Sequence, residues 1–320
     1  MMRSSPAAPD GAPLVSVGRR AARRMQRVAS DRLKRAVKLL ISAMLYGIDS
    51  IVAVAVPSRQ RGRRSRGVVL MYHDVLERDR ARFAAQCDEL VRLARPSRLD
   101  AMHDAADTTW RAAVTFDDGF RSFARVALPE LELRAIPSTL FVATEWARRA
   151  SGEQSTGEPP TLSPAELAQL PPSVEIGSHS RTHAHLPQLD DASLLDELEG
   201  SRRELEEMIG RQVRVHAFPY GEHDRRVVEA ARRAGYERVY GIVPTETSPS
   251  DGYVVGRVQV DPSDWRIEFK LKVLGAYRWM AWWMLAKHRV RSLTRDNANA
   301  TEHLATGRTS TGDTSNGAAA

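Results

Sequence analysis

From Gly67 onward, short apolar runs alternate with longer segments of helical spacing, and this alternation restricts the possible folds more than any other feature of the chain. Val68 to Tyr72, Ala112 to Phe116, Ser138 to Ala143, Val174 to Ile176 and Val213 to Phe218 read as buried strands, followed by strand-like runs at Arg238 to Val243 and Tyr253 to Val260. Between them, residues 81–94 place Phe83, Cys87, Leu90 and Leu93 at core spacing. Phe123 to Leu133, the stretch from Asp191 through Leu194, Leu198, Leu205 and Met208, and Arg225 to Ala234 with Gly235 behind it follow the same rule. Ser163-Pro164 with Glu166 has the capping residue, first-turn proline and acid of a helix start. Strand and helix in turn imply a parallel sheet with helical crossovers, and no solenoid repeat is present.

The polar residues of interest fall at the C-terminal ends of these strands, where barrel enzymes place their chemistry. Val114-Thr115-Phe116 delivers Asp117, Asp118 and Gly119, and strand side chains alternate between faces, so the two acids take different roles. One can hold a metal while the other takes a proton. His179 and His183 follow another apolar strand, and a helical turn would set both imidazoles on one face. One Asp and two His suit a mononuclear hydrolase centre, zinc first, with cobalt, nickel or another divalent ion also compatible.

The Thr115-Phe116-Asp117-Asp118-Gly119, His179-Ser180-Arg181-Thr182-His183 and Phe218-Pro219-Tyr220-Gly221 blocks, in this order, resemble the polysaccharide deacetylases of the NodB-homology type, carbohydrate esterase family 4. The resemblance runs from about Gly67 to about Ala286. Met71-Tyr72-His73-Asp74-Val75 is further similar to the poly-N-acetylglucosamine deacetylase-like members with an early Tyr-His motif. The resemblance implies a distorted (β/α) barrel and metal-dependent removal of acetyl from an N-acetylated sugar. It assigns Asp118, His179 and His183 as ligands, Asp117 as general base and His73 as the acid that protonates the leaving amine. The Tyr220 segment would give a backbone N–H to the oxyanion. Members often carry an Arg where this chain has Ala217, and Arg257 is the candidate to orient Asp117 in its place. His185 reads as a neighbour of the metal motif, Glu222 and His223 as turn residues near the substrate, and Tyr220 and Trp265 as aromatics able to stack on a sugar.

Composition matters chiefly at the ends. The net charge of +7 is concentrated there, in Arg19 to Lys38, in Arg59 to Arg66, and in Lys287, Arg289 and Arg291. No zinc-finger or aromatic RNA-binding pattern accompanies them, so we expect an anionic membrane surface as partner and no nucleic acid. Residues 1–66 form a basic extension around an apolar helix at 39–56, 67–286 the catalytic domain and 287–320 a basic, then disordered, tail. Leu39 to Val56, interrupted by Asp49, is barely long enough to span a bilayer. It reads as a signal-anchor with an extracytoplasmic domain, as an interfacial helix, or as a soluble helix of a cytoplasmic protein. Phe269 to Leu285 reads as one amphipathic C-terminal helix packed on the domain. The lone Cys87 excludes an internal disulfide. The same fold and metal could serve a non-sugar amide or imide, and a non-catalytic glycan-binding membrane protein is the remaining alternative.

Overall fold

The structure is a computed structural model that describes residues 33–48, 67–103, 109–150, 161–242 and 252–280. The expected N-terminal tail, the second half of the apolar stretch 39–56, the polar loop 151–160 and the C-terminal tail lie outside the described residues. The chain divides into two compact units, Met1–Pro57 and Ser58–Ala320. In the first, residues 33–48 are helical. Leu33, Val37, Leu40, Met44 and Ile48 are exposed along it. At about 100° per residue they fall within a stripe about 80° wide, with Lys34, Arg35 and Lys38 to the side and opposite. Among the described residues no helix is long and apolar enough to cross a membrane.

The second unit is a parallel barrel. Its strands are β1 (Gly67–Tyr72), β2 (Arg95–Pro96), β3 (Arg111–Phe116), β4 (Ser138–Val142), β5 (Val174–Ser178), β6 (Val215–Ala217), β7 (Arg238–Gly241), β8 (Val254–Gly256) and β9 (Val258–Gln259). They hydrogen-bond in the order β8-β7-β6-β5-β4-β3-β1-β9, with β2 on β3. All the pairings are parallel. β8 and β9 are successive pieces of one segment, one bonded to β7 and the other to β1, so the sheet closes on itself. Arg257 is the residue at that seam: its N–H donates to the Gly241 carbonyl at 3.0 Å, and Val260 N–H donates to Met71 at 2.9 Å. This is the distorted (β/α) barrel that the family resemblance implies, and its parallel strands with helical crossovers follow the alternation in the sequence.

Every residue of β1, β3 and β4 is buried, as strands covered on both faces require. The inner row nevertheless keeps the period of two. Val69, Ala113, Phe141, Val215, Ala217, Tyr240 and Val255 pack together inside the barrel with Leu99 and Met102. Gly177 belongs to this row, because a Cβ there would come within 2.6 Å of the Phe141 ring. Followed upward, the same parity carries Ala113 and Thr115 to Asp117, Gly177 to His179, Val255 to Arg257 and Val69 to His73. The alternation that fills the core therefore aims four chemically active side chains at one end of the barrel.

Helices are shorter or more broken than their spacing predicts. The stretch from Asp191 consists of an α turn at Asp191–Leu195, a π turn at Asp196–Gly200 and an α-helix at Ser201–Ile209. Ser163 and Glu166 form the expected reciprocal capping box. The expected C-terminal amphipathic helix is interrupted: helix spans Arg266–Val273, breaks over 274–278 and resumes at Trp279 and Met280, and residues 281–285 lie outside the described residues. Gly275 takes φ of +73°, and its N–H and that of Ala276 turn back to the Lys272 and Leu271 carbonyls, which terminates the helix. Cys87 is buried in the Arg80–Leu93 helix, and burial pushes its thiol up to about 12, so it behaves as a small apolar residue.

Candidate metal and catalytic site

Asp117 and Asp118 leave β3 in different directions for a backbone reason. Asp117 continues the inner row, whereas Asp118, which alternation alone would turn outward, takes φ of +72° and is followed by Gly119 at +69°. That reversal returns its carboxylate to the barrel mouth. His179 lies just beyond β5, with its N–H bonded to the Val142 carbonyl at 2.8 Å. His183 reaches the same place by a route the sequence did not suggest. Residues 179–183 form no helical turn; they make a bent loop with Ser180 at φ of +67° and His183 at +64°. The two left-handed residues fold the loop back, and the imidazole rings meet edge to face at 4.8 Å.

The result is a triangle of donors. Asp118 Oδ1 is 3.6 Å from His179 Nε2 and 3.5 Å from His183 Nε2. Two ligands at about 2.1 Å from a tetrahedral ion stand about 3.4 Å apart, so the spacing fits a divalent cation. Asp118 Oδ1 is buried and has no hydrogen-bond partner, a costly arrangement that a cation would relieve. His179 Nδ1 pairs with the Ala217 carbonyl at 2.7 Å, which fixes its tautomer and leaves Nε2 free to ligate. Burial lowers His179 to about 4 and also lowers His183, so both rings are neutral at pH 7, the form that binds metals. Burial first, then the Asp117 charge, pushes Asp118 up to about 6.

Arg257 pairs with Asp117. Its two terminal nitrogens donate to Asp117 Oδ1 at 2.6 Å and to Oδ2 at 2.8 Å, a bidentate pair with the guanidinium fully buried. The same group donates to Thr115 Oγ1 at 3.3 Å and lies 5.1 Å from the Phe141 ring centre. Burial alone would raise Asp117, but Arg257, with His179 and His73, outweighs it and holds the carboxyl below its ordinary value. Asp117 Oδ2 is 4.0 Å from His179 Nε2, so the carboxylate faces the donor triangle while Arg257 holds it from behind.

His73 is half-buried and close enough for its charge to act on Asp117, Asp118 and His183. The residues around it are anchored. Tyr72 donates to Gln86 at 2.9 Å, Gln86 donates to the Asp261 carbonyl at 2.8 Å, and Ser122 donates to Asp74. Tyr220 has φ of +57° in the turn after β6, and its ring stacks on His185 at 4.1 Å and meets His183 edge-on at 4.6 Å. His185 is outside the donor triangle and pairs instead with Glu222 at 2.8 Å. His223 turns back to the Gly221 carbonyl at 3.0 Å and stacks on Phe218. Trp265, partly exposed, precedes the Arg266–Val273 helix.

Two residues at this end of the barrel escaped the sequence reading. Trp146, in the helix after β4, stacks on His183 at 5.0 Å, so His183 lies between Trp146 and Tyr220. Its position just past a strand end was the available signal. His216, on the outward parity of β6, is wholly buried with Nε2 unpartnered, and burial holds it well below its ordinary value.

The sequence pattern of the family described as polysaccharide deacetylase matches residues 106–239. His73 and Arg257 lie outside that match, so their place in the site rests on geometry. No curated protein matches the chain. Among solved structures, the fold is similar to IcaB from Ammonifex degensii, with 25% identity, a TM-score of 0.55, and 67% of this chain and 97% of that one covered. It is also similar to a de-N-acetylase from Aggregatibacter actinomycetemcomitans at 16% identity and a TM-score of 0.56, covering 64% of this chain and 98% of that one. The Streptococcus pyogenes deacetylase PplD gives 18% identity and a TM-score of 0.54, covering 62% and 94%.

Proposed function

We propose that this chain, whose residues 106–239 match the polysaccharide deacetylase family, is a NodB-type metal-dependent hydrolase that removes N-acetyl groups from an N-acetylhexosamine-containing glycan. The observation that carries this reading is the pairing of an Arg257-held Asp117 with the Asp118, His179 and His183 donor triangle, whose buried Asp118 oxygen has no other partner. Asp118, His179 and His183 would hold the ion, zinc first among divalent candidates. When bound, the ion would supply Lewis acidity, bringing the pKa of a water toward neutrality and polarising the acetyl carbonyl.

The remaining work falls to this chain's own groups. Asp117 stays ionised beside Arg257 and keeps lone pairs directed at the donor triangle, so it takes a proton from the attacking water. The Tyr220 backbone N–H donates to the carbonyl oxygen as it gains charge. His73 gives a proton to the sugar nitrogen as the C–N bond breaks, so that acetate and a free amine leave. Trp146 and Tyr220 flank His183 and offer aromatic faces to a pyranose ring. Acetate release from N-acetylglucosamine oligomers, lost on chelation, tests the assignment; a metal-loaded chain inert on every N-acetylated glycan would overturn the substrate class.

We infer separately that the chain rests on an anionic membrane surface through residues 33–48. The exposed apolar stripe beside Lys34, Arg35 and Lys38, with no acid in residues 33–48, supports an interfacial helix. Sedimentation with phosphatidylserine vesicles, and not with phosphatidylcholine vesicles, is the expected result.

A further inference from the structure

The loop that carries His183 is held in an unfavourable shape, and the groups that hold it lie outside the donor triangle. Ser180 and His183 both occupy the left-handed region, which costs a non-glycine residue on the order of 1–3 kcal/mol unless its surroundings enforce it. Between them the backbone is gripped from two sides. On one side, the N–H groups of Thr144 and Glu145, at the start of the helix after β4, donate to the Ser180 carbonyl at 3.3 Å and the Arg181 carbonyl at 2.9 Å. On the other, a single carboxylate takes both backbone N–H groups between them and the Thr182 hydroxyl. Glu197 Oε2 accepts from Arg181 N–H at 2.9 Å and from Thr182 N–H at 3.0 Å, while Oε1 accepts from the Thr182 hydroxyl at 2.6 Å.

Glu197 is buried, an expensive position for a carboxylate unless charge-assisted hydrogen bonds compensate it. It lies in the π turn Asp196–Gly200 that interrupts the expected long helix, and such turns are frequent at functional sites. Its neighbour Asp196 accepts from the Arg181 side chain at 2.6 Å, and Glu204 lies 3.1 Å from the same guanidinium, so the anchorage extends along one helix face.

We propose that Glu197 is a positioning residue for the metal centre: its carboxylate holds the 180–183 loop in the shape that places His183 Nε2 3.5 Å from Asp118 Oδ1. It contacts neither ligand and acts through the backbone between them. Without it, two N–H groups lose their acceptor, the left-handed residues relax, and His183 leaves the triangle while His179, fixed independently by Val142 and Ala217, remains. The inference rests on the metal-site reading above.

The test uses the full chain and Zn2+ alone, with affinity measured by competition against a chromogenic chelator. Glu197→Gln preserves volume, removes the charge and leaves one accepting oxygen, with an NH2 donor beside it, to face three donors. We expect Zn2+ affinity to fall about ten- to hundredfold, the range for losing a group that orients a ligand. Turnover should return to within a few-fold of the unsubstituted chain once Zn2+ is saturating, which a general loss of folding would not allow. Thr182→Val removes only the hydroxyl donor on an exposed residue, and we expect a severalfold loss there. Should Glu197→Gln fail to fold, the Thr182→Val affinity decides. Unchanged Zn2+ affinity in a folded Glu197→Gln chain, or in Thr182→Val if that variant decides, would overturn the positioning role and leave the metal site standing. Failure of the unsubstituted chain to bind Zn2+ would overturn both.

Discussion

Replacing Arg257 by Met keeps most of the buried stem and deletes the guanidinium, which isolates the pair on which the proposed base depends. The two groups are buried and joined at 2.6 and 2.8 Å, with charge centres about 4 Å apart, an attraction of about 4 kcal/mol at an effective dielectric constant of about 20. Arg257→Met leaves Asp117 charged, buried and unpaired, so unfolding in urea at pH 7 should show a loss of about 3–5 kcal/mol. Asp117→Asn leaves the guanidinium unpaired instead, and the double variant carries neither charge. The double-mutant cycle should therefore return a coupling of about 2–3 kcal/mol. The chemistry should respond in parallel. With Arg257 gone, the largest influence opposing burial is lost and only the weaker ones of His179 and His73 remain, so the pKa of Asp117 rises and the acid limb of the pH–rate profile moves to higher pH. Stability losses that add within about 0.5 kcal/mol, together with an unmoved acid limb, would refute the account of how Asp117 is held.

Asp117→Asn alone should retain one bound metal ion per chain and lose about 10²- to 10⁴-fold in turnover, because an amide cannot accept the proton; metal analysis beside kinetics checks it. His179→Ala should lose the metal itself, and unchanged metal content would remove His179 from the ligand set. Burial keeps His216 neutral in the fold while the unfolded chain protonates below about pH 6.5, so the native state binds fewer protons there and stability falls as pH falls through that window. His216→Leu should therefore lose less stability than the unsubstituted chain between about pH 6.5 and 5, measured by urea unfolding at each pH. Leu40→Glu with Met44→Glu puts two acids in the exposed stripe and should abolish sedimentation with anionic vesicles while sparing acetate release.

The fold was legible because its two periods are written plainly. Runs such as Val68 to Tyr72 and Ala112 to Phe116 are apolar on both faces, as a covered parallel strand must be, and they end on the residues that converge at the barrel mouth. The Arg257 to Asp117 contact was legible only as a guess, since 140 residues separate the two and only barrel closure between β8 and β9 brings them together. The path of His179 to His183 was misread. Spacing of four suggests a helix, but the decisive facts are the positive φ at Ser180 and His183 and the Glu197 carboxylate below them, none of which leaves a periodic trace. The C-terminal helix is interrupted for a related reason, because apolar spacing past Val273 hides the single glycine that turns the backbone at position 275, and the stretch beyond Met280 lies outside the described residues.

The most direct test of the central claim is acetate release by the full chain from N-acetylglucosamine oligomers, before and after chelation and again with Zn2+ restored. The account predicts release that chelation stops and Zn2+ returns. Release untouched by chelation, or a chain that binds no divalent ion at the Asp118, His179 and His183 triangle, would contradict it.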